Sequence, residues 1–215
     1  MDEAVLRSVN VGTPRTVAWH GRSVTSAIWK SPVEGRVRVE GVQVDGDAQA
    51  DLRVHGGTHK SVYAYAVEDY EWWAAQLGTA FSPATFGENL TTAGLVLDRC
   101  VVGERWRVGS ALLEVSEPRM PCFKLGIRMG DADFVDRFEE ARRPGTYLRI
   151  ARAGDVGAGD AINVVHRPDH GLTIGELMAA QLDGDERLLA RVIDNPDVSP
   201  SWAGAAARRL ERSRQ

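Results

Sequence analysis

Apolar and polar residues alternate over three short stretches near the start of the chain. Val5, Arg7, Val9 and Val11 alternate with Leu6, Ser8 and Asn10; Val24, Ser26 and Ile28 with Thr25, Ala27 and Trp29; Val37 and Val39 with Arg36, Arg38 and Glu40. A period of two puts successive side chains on opposite faces of an extended chain, so each stretch predicts a strand. Gly21, Gly35, Gly41 and Asp45-Gly46-Asp47 separate them as turns. Short strands with frequent glycine turns point to a barrel or sandwich rather than to repeated βαβ units.

Further along, residues 61–65 predict another short strand, and Val67–Leu77 a helix with Glu68 and Asp69 in its first turn and Gly78 as its stop. The aromatic residues Tyr63, Tyr65, Tyr70, Trp72 and Trp73 in this region are expected to pack as core. Residues 86–91 read as a glycine-hinged loop entering a strand. Arg105–Val108 and residues 111–115 flank Gly109-Ser110, the signal of a tight hairpin. A second helix is expected over 131–142, then strands over 146–151 and 161–165. The glycine run 154–160 between those strands lacks the order G-x-G-x-x-G and a following helix, so it reads as a barrel-closing turn rather than a phosphate loop.

Past Arg167-Pro168-Asp169 the pattern changes to helix. Thr173 with Glu176 forms a capping box; residues 185–195 follow as a second helix; Ser199 as N-cap with Pro200 at the first helical position opens a third, ending near Arg212. Helices this short are marginal alone and must pack on something, either the barrel or a second copy of the chain in a homodimer. The expected organisation is therefore a β-rich domain over 1–168 and three helices over 169–215.

Composition narrows the function classes. The chain has 215 residues, a formal net charge of −4 and a pI near 5.8, which argues against a general nucleic-acid or anionic-membrane binder, since those need a basic surplus. No apolar run approaches the roughly 20 residues that span a bilayer, and Met1-Asp2-Glu3 starts acidic rather than with a basic leader. The expected location is the cytoplasm, with Cys100 and Cys122 as reduced thiols.

The candidate chemistry gathers on Ser116-Glu117-Pro118-Arg119-Met120-Pro121-Cys122-Phe123-Lys124-Leu125. Two prolines restrict the backbone on either side of Arg119, and two cations flank one thiol. Positive neighbours stabilise thiolate, the form that attacks electrophiles and binds metals. Cys122 is thus a soft metal ligand, a nucleophile or a plain buried thiol. His55-Gly56-Gly57 with Lys60 is a second signal: paired glycines let backbone amides approach an anion, although taken alone a tight turn with a structural His is the better fit. His55 and His59 have the spacing of a helical zinc pair, but the glycines between them argue against a helix and no glutamate lies inside the motif. Asn89, in Phe86-Gly87-Glu88-Asn89-Leu90, can donate and accept, as reading a heterocycle edge or holding a bound water requires, although a plain Asn turn before a strand fits these residues equally. If Arg53, His55, Lys60, Arg119, Lys124 and Arg128 converge, they make an anion site sized for phosphate or pyrophosphate.

In combination these stretches resemble the MOSC family, named for the C-terminal domain of molybdenum-cofactor sulfurases, and in particular its stand-alone bacterial YiiM-like branch. The matching elements are Lys30-Ser31-Pro32-Val33-Glu34-Gly35, Gly46-Asp47-Ala48-Gln49-Ala50-Asp51, Val54-His55-Gly56-Gly57 with Lys60, Tyr63 and Tyr65, Phe86-Gly87-Glu88-Asn89-Leu90, Pro118-Arg119 through Pro121-Cys122 to Lys124-Leu125, and the C-terminal helical segment from Gly171-Leu172-Thr173. Thr58-His59 departs from relatives that carry an acidic residue there. The resemblance implies an α+β, mainly β fold with a MOSC-type β-barrel core and a small C-terminal three-helix domain. It implies a molybdenum cofactor of molybdopterin type, with Cys122 as metal ligand and catalytic residue and His55 as its catalytic partner. Arg53, Gly56, Gly57, Lys60, Asn89, Arg119 and Lys124 are the expected cofactor-binding residues. The implied activity is reduction of N-hydroxylated compounds such as hydroxylaminopurine bases. No iron–sulfur cysteine set or dinucleotide fingerprint is present, so electrons would come from a separate reductase. The competing readings are a non-catalytic cofactor carrier or sulfur-transfer module, and zinc hydrolysis by His55, His59 and Cys122.

Overall fold

Val62–Ala66 is buried along its whole length, which a strand achieves only when both faces are covered. In the computed structural model, which describes residues 3–48 and 57–213, this strand is β7. Before it come β1 (Val5–Val11), β2 (Arg15–Trp19), β3 (Arg22–Ser26), β4 (Ser31–Pro32), β5 (Arg36–Glu40) and β6 (Gln43–Val44), and a 3-10 turn at Thr58–Lys60. After it come α1 (Val67–Leu77), β8 (Leu90–Ala93), β9 (Arg105–Val108), β10 (Ala111–Glu117), α2 (Phe123–Met129), α3 (Phe134–Glu140), β11 (Thr146–Arg152), β12 (Gly154–Gly157) and β13 (Ile162–His166). The helices α4 (Ile174–Asp183), α5 (Glu186–Ile193) and α6 (Pro200–Ser213) end the chain. No helix of the described residues is long and apolar enough to cross a membrane.

Eight strands form one sheet in the order β13-β9-β10-β11-β7-β8-β1-β4. Its pairs are antiparallel except β7 with β8, which run parallel and are connected through α1. The sheet curls until its first strand meets the approach to its last: Leu6 N donates to Asp160 O at 2.9 Å and Ile162 N to Ala4 O at 2.7 Å. The result is a strand-rich half-barrel, as the alternation and glycine turns predicted. β12 and β6 flank β5 in a small second sheet, and β2 with β3 stands apart as a ribbon. The glycine run expected as a turn thus contains a strand, β12.

Two cores divide the molecule. Inside the curl lie Leu6, Val62, Trp106, Leu113, Val115 and Leu148, and the same cluster continues without a break through Leu172, Leu177, Leu189 and Val192 of the C-terminal segment. Full burial of each such aliphatic side chain stabilises by about 1.5–3 kcal/mol, which is how helices too short to persist alone are held. Their caps agree with the sequence: Thr173 and Glu176 form the reciprocal capping box of α4, and the Asp185 carboxylate accepts from Arg187 N and Leu188 N at the start of α5.

The second core is aromatic and joins α1 and α3 to β7. Tyr63, Tyr65, Tyr70, Trp73, Phe86, Phe134 and Phe138 pack together with Leu125, so the expected aromatic core is present. Under it Glu88 is fully buried, with Oε1 accepting from Tyr70 OH at 2.6 Å, Ala84 N at 2.7 Å and Thr91 Oγ1 at 2.8 Å. Burial pushes this carboxyl above the ordinary range although those donors oppose the shift. Glu88 thereby pins the loop that delivers Gly87 and Asn89 to β8.

Several local expectations change. Residues 123–129 form a helix where the proline and cation pattern predicted only a loop; Cys122 is its N-cap and Gly130 its left-handed C-cap. The helix is short and contains Gly126, a poor helix former. Tertiary contact overrides that: Leu125, Gly126 and Ile127 are buried, and a Cβ on Gly126 would come within 2.9 Å of Asp131 O. The next helix starts at Phe134 rather than 131, and β2 was not evident from the sequence.

Gly145 has φ +64°, and a Cβ there would collide with the Ala64 carbonyl oxygen and the ring of Tyr65. Gly145→Ala is expected to lower unfolding free energy by about 2–4 kcal/mol, combining left-handed strain with overpacking; urea denaturation checks this. Because Glu88 titrates higher folded than unfolded, it subtracts stability as pH rises from the ordinary carboxylate range through its raised midpoint. Glu88→Gln is expected to remove that decline, seen as a smaller difference in urea midpoint between about pH 5 and about pH 8.

Candidate functional site

Between the curled sheet and α2 lies a pocket that collects side chains from distant parts of the chain. Arg119, Met120 and Cys122 come from the segment between β10 and α2, Lys124 from α2, Lys60 from the 3-10 turn, Tyr63 from β7 and Tyr147 from β11. Lys30, Asp47, Gly87 and Asn89 complete the part of the wall that bears on its chemistry. The sequence contains three lysines among 26 lysine and arginine residues, at positions 30, 60 and 124, and all three line this one pocket. An ammonium is a compact point charge with three movable donors, unlike the flat guanidinium that serves the rest of the chain.

Lys30 and Asp47 form a largely buried ion pair. Burial lowers the lysine's proton affinity, and Asp47 works against that shift. The Asp47 carboxylate is itself held by Gly12 N at 2.9 Å and by Asn89 Nδ2 at 2.9 Å. Asn89 is committed to the fold: Nδ2 also donates to Asn10 O at 3.2 Å, and Oδ1 accepts from Tyr63 N at 3.2 Å. Its amide therefore fixes the wall as well as facing the pocket, a role its residue type did not announce.

Arg119 is buried, donates through Nη1 to Phe86 O, and lies with its guanidinium carbon 4.9 Å from the Tyr63 ring centre. That places a desolvated cation over an aromatic face at the rear of the pocket. The Tyr63 hydroxyl donates to Pro144 O at 2.8 Å, and burial pushes this phenol upward, so it stays protonated. Lys60 Nζ stands 3.5 Å from Glu117 Oε1, and His59 Nδ1 lies 3.2 Å from Ser116 Oγ. Burial, then Arg149, lowers the proton affinity of His59. His59 thus docks its turn onto β10 and is not among the pocket lining.

The two thiols differ in setting. Cys100 is buried in the apolar core with its thiol pushed upward by desolvation, then by Glu104, an inert position. Cys122 is half-buried and faces the pocket. Neither cysteine is in a disulfide. Of the residues expected at the site, Cys122, Lys60, Lys124, Arg119 and Asn89 meet on one pocket. Gly57 caps the 3-10 turn with φ 99° and is not in the lining, nor is Arg128 of α2. Arg53, His55 and Gly56 lie outside the described residues. Lys30 and Asp47 were not singled out as site residues, although both lie in stretches quoted for the family resemblance; their role follows from a contact 17 residues apart in sequence. Among the described residues no group of three or more His, Cys, Asp or Glu is placed to hold a metal ion.

Residues 51–163 match the model of the MOSC domain. Protein YflK of Bacillus subtilis is 31% identical over 95% of this chain and 94% of its own length. A protein named Reductase from Gibberella moniliformis is 34% identical over 76% of this chain, a match that takes in 30% of that longer protein. The crystal structure of YiiM from Geobacillus stearothermophilus superposes with a TM-score of 0.80 at 29% identity, covering 96% of this chain and 99% of the other. Fold and comparisons agree, and the chain belongs to the MOSC domain family.

Proposed function

We propose that this protein is a molybdenum-cofactor oxidoreductase that reduces N-hydroxylated compounds, such as hydroxylaminopurine bases, to amines. The observation that carries the reading is that the half-buried thiol of Cys122 shares one pocket with Arg119 and all three lysines, in a chain of the MOSC family that has a reductase-named relative. MOSC domains are associated with the molybdenum cofactor. The lining fits such a group: one thiolate donor is a soft ligand suited to molybdenum, and the cations around it suit a phosphate-bearing pterin.

In this reading Cys122 ligates the metal and Lys60, Lys124 and Arg119 hold the anionic part of the cofactor. Lys30, fixed by Asp47, adds a further ammonium. Tyr63 and Tyr147 present aromatic walls that limit water and hold a flat heterocycle. The cofactor, when bound, supplies the two-electron chemistry. The overall change consumes two electrons and two protons: the N–O bond breaks, the nitrogen leaves as an amine, and the oxygen leaves as water. A separate reductase supplies the electrons. His55, the partner expected from the sequence for proton delivery, belongs to the segment outside the described residues.

The test is reconstitution with molybdenum cofactor and a low-potential reductant, followed by an assay on a hydroxylaminopurine. Wild type is expected to turn over, and Cys122→Ala to lose at least about 100-fold, more than outer-shell substitutions at metal sites cost. Full turnover in Cys122→Ala defeats the assignment. Tight cofactor binding with no turnover on any N–OH compound identifies a carrier instead.

A further inference from the structure

Glu117, the last residue of β10, has a side chain only 1% exposed. Its Oε2 accepts from Ser199 Oγ at 2.9 Å, while Oε1 has no hydrogen-bond partner among the described residues and faces Lys60 Nζ at 3.5 Å. A carboxylate is costly to remove from water unless a charge or a full set of donors compensates it. Here the compensation is an ammonium that lines the pocket. The neighbouring pair repeats the geometry: Ser116 meets His59 just as Glu117 meets Lys60, so the last two side chains of the strand grip two consecutive residues of the turn. On its other side Glu117 reaches the C-terminal segment, since Ser199 is buried and directly precedes α6.

We propose that Glu117 is a positioning residue for Lys60, and that Ser199 extends this support to the C-terminal helices, so that they brace the pocket from behind without lining it. The consequence for ligand binding rests on reading the pocket as an anion site; the linkage from Ser199 through Glu117 to Lys60 does not. The groups around Glu117 are Lys60 from the turn, Tyr147 opposite it in β11, and Ser199 and Trp202 at the start of α6. Tyr147 is kept neutral by burial. Burial raises the Glu117 proton affinity, while Lys60 and then the Ser199 hydrogen bond oppose the rise.

With only three lysines, reductive 13C-methylation gives a small set of lysine signals, assigned by single Lys→Arg variants. On acidification from about pH 8 to about pH 4, the Lys60 signal is expected to move as Glu117 takes up its proton. Glu117→Gln is expected to abolish that component and leave the Lys124 profile unchanged; any contribution from His59 persists in this variant and is thereby separated. Ser199→Ala removes a hydrogen bond that favours the carboxylate, so the midpoint is expected to move to higher pH. Identical Lys60 profiles in wild type and Glu117→Gln overturn the proposal, and an unmoved midpoint in Ser199→Ala overturns the part given to the C-terminal helices. Calorimetry with inorganic pyrophosphate then tests the consequence. Glu117→Gln is expected to change affinity by about threefold or more in the wild-type background and not in Lys60→Ala. Equal changes in both backgrounds defeat the link to binding. A wild-type protein that does not bind pyrophosphate defeats the anion-site reading, leaving the lysine profiles to decide the linkage itself.

Discussion

A buried polar seam ties the strands of this protein to its pocket. Asn89 joins β1 to β7 through Asn10 O and Tyr63 N, and its own backbone repeats the link, with Asn89 N donating to Tyr63 O at 2.8 Å and accepting at its carbonyl from Asn10 N at 2.6 Å. From Asn89 the seam runs one way to Asp47 and Lys30, and Asn10 carries it the other way through Thr91 to Glu88. Each of these groups is out of water or nearly so. Losing any one partner leaves another orphaned, and an orphaned buried polar group costs more than its hydrogen bond contributed. The geometry of the wall is therefore set by the requirement that every member of the seam keep its partners.

The same logic separates the two cores. The aliphatic interior of the curled sheet accepts the C-terminal helices without a boundary, because non-directional burial does not distinguish one apolar surface from another. The aromatic cluster is more selective. Its tyrosines and tryptophan need partners for their polar ends, and Tyr70 finds Glu88 while Trp73 Nε1 donates to Tyr65 OH at 2.9 Å. Arg119 lies where this cluster meets the pocket, with its charge against Tyr63 and its donor on Phe86 O. A cation placed so is held by the core and faces the pocket.

Within the MOSC family this chain stands close in length to YflK and to the YiiM structure, whereas the reductase-named relative is a much longer protein of which the match is a minor part. What the chain itself contributes is a cationic cavity with one accessible thiol. The contrast between Cys100 and Cys122 shows that residue type alone does not make a site. The same group is enclosed by aliphatic side chains in one place and lines a cationic pocket with Lys124 and Arg119 in the other.

The sequence by itself determined the elements whose signals are local. Alternation set β1 and β5, Gly109-Ser110 set the β9–β10 hairpin, and Gly78, Thr173 with Glu176, and Ser199-Pro200 marked helix ends, because each acts within a few residues of backbone. The combination of motifs also indicated the family and singled out Cys122, Arg119, Lys60 and Lys124, which line one pocket. Tertiary structure alone decided what those residues touch. The helix α2 forms against its local propensity because Leu125 and Ile127 are buried; Asn89 became a strut because Asn10, Asp47 and Tyr63 converge on it. The gathering of all three lysines at one pocket, and the reach of Ser199 to Glu117 across 82 positions, depend on how the sheet curls. Contacts of that span leave no periodicity in the chain, so only the closed sheet could show them.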